Sequence, residues 1–158
     1  MFFISHRGNV NGINTKYENH PNFIMSALKM GYHVEVDVRI KDNKFYLWHD
    51  EPIYNVNSKF LTNRKIWCHA KSSDALFALK KIKAHYFWHQ NDDYTITSRG
   101  YFWTYPGKKL LKNSICVLPE KSNYKINECA GICSDYIKKY KKNGKNNYFR
   151  SWWCFSRY

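Results

Sequence analysis

Side chains suited to metal binding and proton transfer lie close together between positions 33 and 50: Glu35, Asp37, His49 and Asp50. Glu35 and Asp37 belong to a run, residues 33–40, in which polar and apolar residues alternate strictly. Because strand side chains repeat every second residue, the alternation predicts a strand with both carboxylates on one face. Two carboxylates in that arrangement can hold one hard divalent cation. The alternative is the solvated face of a half-buried strand.

A second group of reactive side chains, His6 and Arg7, follows a nearly all-apolar strand signal at residues 2–5. The change from strand to His6, Arg7 and Gly8 places two phosphate-binding side chains and a flexible backbone at the carboxyl end of that strand.

A helix is predicted between these two strands. His20 and Pro21 are typical of a helix start, and Gly31 of a helix end. Phe23, Ala27 and Met30 form its expected buried stripe. An apolar strand, a helix and a second strand predict a parallel βαβ unit.

These motifs resemble a known enzyme family when they are taken together. In chain order they are His6-Arg7-Gly8, Glu18-Asn19, Glu35-x-Asp37 and His49-Asp50. Their order and spacing over residues 2–50 resemble the glycerophosphodiester phosphodiesterase family, in the wider group of phosphatidylinositol-phospholipase-C-like phosphodiesterases. The resemblance implies a (β/α)₈ barrel with catalytic groups at the carboxyl ends of the strands.

The resemblance also implies the chemistry. His6 and His49 would form the acid/base pair, and Arg7 would bind the phosphate. Cleavage of a phosphodiester needs one group that takes a proton from the nucleophile and another that protonates the leaving oxygen. Two histidines suit this task near neutral pH.

The resemblance implies a divalent cation held by Glu35 and Asp37, with Glu18 as a further ligand or a neighbour of the ligands. The family typically carries Glu-x-Lys on the next strand, where this chain has His69-x-Lys71. Lys71 matches as a phosphate-binding residue, whereas His69 departs from the expected third carboxylate. Imidazole suits transition metals better than Mg²⁺ or Ca²⁺. We therefore expect Mg²⁺ or Ca²⁺, with Mn²⁺ as the alternative that His69 admits. A hydrogen-bonded interior histidine is the other interpretation of His69.

The whole chain gives about eight strand signals but few helices. Residues 51–65 are expected to form a loop with a short turn, residues 72–83 a helix, and residues 131–135 the last strand. The segments between the middle strands are too short for crossover helices, which need about a dozen residues. The predicted fold is therefore α/β, a reduced TIM-type (β/α) barrel with several crossover helices shortened or missing, over residues 1–137.

Further residues could line the site, although packing in the core or at the rim is expected for each: His85, His89, Asp92, Trp103, Glu120 and Asp135. His89 and Glu120 are the first candidates, because both follow apolar strands. His20 and His33 are assigned to a loop and to the base of the barrel.

The chain is basic, with a formal net charge of +14, and half of that charge lies in residues 138–158. This tail interleaves basic residues with seven aromatic ones, a pattern suited to single-stranded nucleic acid or an anionic membrane, although packing against the barrel is favoured. The five cysteines show no secreted framework, and no signal peptide or long apolar run is present. A cytoplasmic location is expected.

The function predicted from the sequence is that of a metal-dependent phosphodiesterase acting on a glycerophosphodiester or a related small or lipid-derived phosphodiester. Two alternatives remain open at this point. One is a catalytically weakened barrel that retains phosphate binding, and the other is a binder of nucleic acid or membrane surfaces through the basic tail.

Overall fold

The computed structural model describes residues 1–50, 53–122, 126 and 128–141. The chain folds into a mixed α/β structure with a ten-stranded sheet and few helices. The strands are β1 (Phe2–His6), β2 (His33–Lys41), β3 (Lys44–Leu47), β4 (Tyr54–Val56), β5 (Ile66–Ala70), β6 (Tyr86–Trp88), β7 (Tyr94–Ile96), β8 (Phe102–Thr104), β9 (Ser114–Val117) and β10 (Gly131–Ser134). The helices are α1 (Pro21–Lys29), α2 (Ser58–Leu61), α3 (Ser73–Lys81) and a 3₁₀ turn, Pro119–Lys121, and residues 137–141 are also helical.

The sheet is parallel through its centre. Its main path runs β4-β3-β2-β1-β10-β9-β8-β7, and β5 followed by β6 continues from β2. Pairing is parallel from β6 through β5, β2, β1, β10 and β9 to β8, whereas β3, β4 and β7 pair antiparallel to their neighbours. The carboxyl ends of seven strands therefore meet at one edge of the sheet.

The two ends of this strand order lie close together. In the described residues β6 and β7 do not pair as a strand ladder. Hydrogen bonds nevertheless link them: Ser98 N donates to Tyr86 O at 2.7 Å, and Thr95 Oγ1 donates to Trp88 O at 2.8 Å.

Helices cover one face of the sheet. Val34, Val36 and Val38 of β2 are fully buried in a cluster that includes Ile24 of α1 and Leu79 of α3. The strict alternation of β2 thus turns its valines toward the helices and its charged residues toward the opposite face.

The opposite face encloses an aromatic core. Trp67, Phe87 and Trp103 are almost fully buried there, together with Ile4 and Ile115. Phe87 and Trp103 stack with ring centroids 4.4 Å apart. This aromatic layer reaches the predicted site residues, because His69 of β5 stacks on its register partner Phe87 of β6.

Two local expectations are corrected. The segment expected to be a loop contains β4 and α2. Of the stripe expected in α1, Ala27 is buried, but the second buried residue is Ile24. Phe23 is only partly buried, and Met30 is largely exposed because the helix ends at Lys29 and Met30 is its cap. By contrast, the prediction that several crossover helices are missing agrees with the structure. Among the described residues, no α-helix lies between β6 and β10.

The start of the tail packs against the body. Residues 137–141 are helical, Ile137 is buried, and Tyr140 packs beside it. Lys141 lies over the ring of Tyr32 at 4.3 Å. Residues 142–158, which carry most of the predicted nucleic-acid or membrane-binding pattern, lie outside the described residues. None of the described helices has the length and apolar character needed to cross a lipid bilayer.

Buried His85, next to the aromatic core, makes the free energy of unfolding depend on pH. It is 2% exposed at the start of β6 and shares a hydrogen bond of 3.0 Å with Thr97 Oγ1. Burial, with the nearby Arg99 charge, lowers the pKa of His85 from 6.5 to about 3. The unfolded chain therefore takes up a proton near pH 6.5 that the folded protein excludes.

Stability due to neutral His85 is present above pH 6.5 and is lost progressively as the pH falls toward 3. Between pH 7 and pH 5 we expect this group to lower the free energy of unfolding by about 2 kcal/mol. His85→Gln, which keeps a nitrogen at the same reach without titrating in this range, should lose about 2 kcal/mol less. Urea unfolding of both proteins at the two pH values measures the difference, and equal losses would refute the assignment.

Candidate functional site

The sequence-predicted site residues meet at the carboxyl edge of the parallel strands. The register places His6 beside Glu35 across β1 and β2, and Asp37 beside His69 across β2 and β5. Because neighbouring strands run parallel, residues near their carboxyl ends share one edge of the sheet. All eight predicted residues are joined there by a chain of side-chain contacts.

Glu35 and Asp37 are buried, at 1% and 0% exposure. They do not form the solvated strand face that was the alternative interpretation. Two buried carboxylates cost several kcal/mol of solvation each unless hydrogen bonds or opposite charges compensate them. The surrounding residues provide that compensation.

Asn19 holds Asp37 from two directions. Its Nδ2 donates to Asp37 Oδ2 at 2.9 Å, and its Oδ1 accepts from the backbone N of Asp37 at 2.9 Å. Asn19 has φ of 60°, a left-handed conformation that asparagine tolerates better than most residues. The asparagine of the Glu18-Asn19 motif is thus a positioning residue, a role that the sequence analysis did not assign.

Arg7 is drawn to the same carboxylate. Its Nε lies 2.9 Å from Asp37 Oδ2, although its N–H does not point along a hydrogen bond. Burial works to raise the pKa of Asp37, but the contacts with His69, Arg7 and Lys71 outweigh it and hold the pKa well below its usual value. Asp37 is therefore ionised at neutral pH.

The turn after β1 creates this approach of Arg7. Arg7 has φ of 52° and Gly8 of 93°, and the backbone N of Arg7 donates to Glu35 O at 3.0 Å. A Cβ on Gly8 would lie 2.7 Å from Phe23 Cδ1. Glycine is required here by both its positive φ and the close packing of α1.

His69 faces the two carboxylates with one ring nitrogen. Its Nδ1 lies 3.3 Å from Asp37 Oδ1 and 3.6 Å from Glu35 Oε1. Its Nε2 lies 2.9 Å from the backbone oxygen of His89, which can only accept, so Nε2 carries a proton. Burial lowers the pKa of His69, but Asp37 and Glu35 more than offset that effect and raise it to about 9.

Glu35, Asp37 and His69 can together hold a metal ion. Within the part of the chain that the structure describes, they form a group in which one ligand atom from each lies within 4.8 Å of the others. Two ligands with bonds of about 2.0–2.4 Å can be up to about 4.8 Å apart on one ion. Asp37 Oδ1 is buried and has no hydrogen-bond donor among the described residues, so a lone pair remains for a cation.

His6 is oriented by Asp135. The Nδ1 of His6 lies 2.8 Å from Asp135 Oδ1, and its Nε2 lies 3.9 Å from Glu35 Oε2. Burial works to lower the pKa of His6, but the hydrogen bond to Asp135 and the charge of Glu35 outweigh it, so the pKa is raised. Asn9 Nδ2 donates to the same Asp135 oxygen at 2.8 Å.

His49 has the same pattern at the opposite end of the contact chain. Its Nδ1 lies 2.7 Å from Asp50 Oδ1, and its Nε2 lies 3.3 Å from Lys71 Nζ. Lys71 Nζ in turn lies 3.8 Å from Asp37 Oδ1. In both histidines a carboxylate contacts Nδ1; Nε2 of His6 faces Glu35, whereas Nε2 of His49 faces Lys71, which lies beside Asp37.

Glu18 contacts Arg7 and Asn9 instead of joining the three-residue group. Its Oε2 accepts from Arg7 Nη1 at 3.1 Å, and its Oε1 accepts from Asn9 Nδ2 at 2.9 Å. Of its two predicted roles, this geometry fits the neighbour of the ligands.

The further candidates differ in how they relate to the site. Asp135 belongs to the site, and Glu120 supports it by accepting from the backbone N of Asp135 at 2.9 Å. His89 contacts the site through its backbone oxygen, and its ring Nε2 lies 2.7 Å from Asp92 O. Trp103 and His85 pack in the core, as expected, and the side chain of Asp92 is exposed.

The two histidines assigned to other roles make their hydrogen bonds outside the site. His20 caps α1, with its Nδ1 accepting from Asn22 N, and His33 accepts from Trp67 Nε1 at the start of β2.

No protein-family model, curated protein or solved structure matches this chain. The roles proposed below therefore rest on the residues and their geometry.

The hold of Asn19 on Asp37 leads to a stability prediction. Asn19→Ala removes both hydrogen bonds and leaves a left-handed alanine, so we expect a loss of about 2–4 kcal/mol in the free energy of unfolding. Asn19→Gly removes the same hydrogen bonds without the strain and should be about 1 kcal/mol more stable than the alanine variant. Urea unfolding measures both, and an alanine variant within about 0.5 kcal/mol of the wild type would show that Asn19 does not hold Asp37.

Proposed function

We propose that this chain is a metal-dependent phosphodiesterase that hydrolyses a glycerophosphodiester or a related small or lipid-derived phosphodiester. One observation carries the proposal. A carboxylate contacts Nδ1 of both His6 and His49. Nε2 of His6 lies 3.9 Å from the buried Glu35, and Nε2 of His49 lies 3.3 Å from Lys71. Lys71 and Arg7 both lie beside the buried Asp37. General acid and base catalysis on a phosphate ester needs these groups in one place.

The two histidines would move the protons of the reaction. In hydrolysis the oxygen of water bonds to phosphorus, the P–O bond to the leaving alcohol breaks, and that alcohol takes a proton. One Nε2 accepts the proton that the water loses, and the other donates the proton that the leaving oxygen gains. Asp135 and Asp50 fix which ring nitrogen is available, because each occupies Nδ1.

The charged residues beside the histidines would bind the phosphate. Lys71 Nζ lies between His49 and Asp37, where it can meet a phosphoryl oxygen near the proton-transfer groups. Glu18 and Asp37 orient the guanidinium of Arg7. A cation held by Glu35, Asp37 and His69 would neutralise charge on the phosphoryl oxygens.

The proposal includes the finer architecture, a reduced TIM-type (β/α) barrel. The hydrogen bonds between the β6 and β7 regions favour it, and so does the location of the site at the carboxyl ends of parallel strands. A cytoplasmic location also belongs to the proposal, and the four free thiols among the described residues favour it over an oxidising compartment.

Hydrolysis of bis(p-nitrophenyl) phosphate and glycerophosphocholine, with Mg²⁺, Ca²⁺, Mn²⁺ or EDTA, tests this function. His6→Ala and His49→Ala each remove one proton-transfer group, so we expect kcat/KM to fall at least about 100-fold for each. His20→Asn is the matched control, because asparagine can keep the helix cap and His20 lies outside the site.

Two results would count against the enzyme. Activity that survives both alanine variants would refute the acid/base assignment. Failure to turn over either ester with any cation, combined with phosphate binding that Lys71→Met weakens, would favour the binding protein that the sequence also allowed.

Asp135 gives a separate prediction as a positioning residue. Asp135→Asn keeps the shape of the side chain but removes the charge beside His6 Nδ1. We expect kcat to fall about 10-fold to 1,000-fold with a smaller change in KM, because tautomer and orientation matter more in the transition state than in binding. Steady-state kinetics measure the split, and a rise in KM alone would assign Asp135 to substrate binding.

A further inference from the structure

The side chain at position 69 sets the chemical character of the candidate metal site. Its ligand atoms are two carboxylate oxygens and one imidazole nitrogen. Mg²⁺ and Ca²⁺ are hard cations that prefer oxygen ligands, whereas imidazole nitrogen binds first-row transition metals well. The donor set therefore distinguishes between classes of dication.

His69 is held in the orientation that a ligand needs. Its Nε2 donates to His89 O at 2.9 Å, which leaves Nδ1 directed at Asp37 and Glu35. Its ring stacks on Phe87, with centroids 4.9 Å apart and planes 15° apart. A histidine ligand usually donates its second ring N–H to a carbonyl or carboxylate, and this contact has that form.

A second observation concerns the carboxylate that faces His69. Asp37 is 0% exposed, and its Oδ1 has no hydrogen-bond donor among the described residues. This oxygen is one of the atoms nearest His69 Nδ1, at 3.3 Å. A buried carboxylate oxygen with a free lone pair beside a fixed imidazole nitrogen is suited to share an ion with it.

We propose that Glu35, Asp37 and His69 form a site selective for a transition-metal dication such as Mn²⁺ over Mg²⁺ and Ca²⁺. The inference deepens the proposed function and rests on its metal site. Nδ1 of histidine is as many bonds from Cα as Oδ of aspartate, so His69→Asp replaces nitrogen by oxygen at the same reach. That variant is the matched test of selectivity.

The experiment compares metal affinities of the full chain and its His69→Asp variant after removal of metal with EDTA. Most nitrogen- and oxygen-containing sites bind Mn²⁺ more tightly than Mg²⁺, so the informative quantity is the change in the ratio of the two Kd values. We expect the wild type to favour Mn²⁺ by at least about 100-fold, and the variant to lower that ratio about 10-fold or more. Mn²⁺ is preferred to Zn²⁺ as the probe because Mn²⁺ binds cysteine thiolates less strongly.

A spectroscopic readout complements the affinity measurements. Pulsed electron paramagnetic resonance of bound Mn²⁺ should show coupling to a ¹⁴N nucleus, and that coupling should change when the histidines carry ¹⁵N. His20→Asn should keep the coupling, and His69→Asp should lose it. Urea unfolding of each variant checks that it is folded, and the isotope experiment decides the question if His69→Asp is not.

The outcomes separate this inference from the proposed function. The selectivity would be overturned if the ratio of the Mg²⁺ and Mn²⁺ Kd values were the same in the wild type and a folded His69→Asp variant. Bound Mn²⁺ without nitrogen coupling would also overturn it, even if hydrolysis is found. Selective Mn²⁺ binding through His69 without hydrolysis of either ester would support the selectivity and count against the enzyme. Hydrolysis that persists in EDTA, with no binding of Mn²⁺, would overturn the metal site while leaving the phosphodiesterase.

Discussion

The buried charge of Asp37 is the constraint on which the rest of the site depends. A fully buried carboxylate is costly unless donors and cations surround it, and three different segments of the chain approach Asp37 or its neighbour Glu35 for this reason. Asn19 comes from the loop before α1, Arg7 from the turn after β1, and His69 and Lys71 from the end of β5. Electrostatics at one point thus brings together residues that are distant in sequence.

The same constraint explains why the surrounding backbone is unusual. Arg7 and Asn19 both have positive φ, which costs about 1–2 kcal/mol for a residue with a side chain. Their contacts with Asp37 and Glu35 oppose that cost. Strained conformations of this kind persist where the structure around them over-determines their position, and they gather at functional sites.

The histidines of the chain illustrate how environment sets one residue type to different tasks. At the carboxyl edge, burial is outweighed by neighbouring carboxylates, and the pKa values of His6 and His69 are raised. At the other end of the strands, burial and nearby positive charge lower the pKa values of His33 and His85 to about 4 and about 3. The aromatic core lies between these two ends of the strands. It separates the charged site at the carboxyl edge from the opposite end, where His33 and His85 are neutral.

The sequence alone determined the alternation of β2, the start of α1 at Pro21 and the order of the predicted motifs, because periodicity, proline and short spacings are local properties of the chain. It did not reveal β4 and α2, which are short elements with weak local signals. It also left open whether Glu35 and Asp37 face water or the interior, because alternation alone does not say which face of a strand is covered. Only the tertiary structure decided that they are buried, that Asp135 reaches His6 across 129 positions, and that Asn19 holds Asp37. These contacts depend on the parallel pairing of β1 with both β2 and β10, a long-range arrangement that no local pattern encodes.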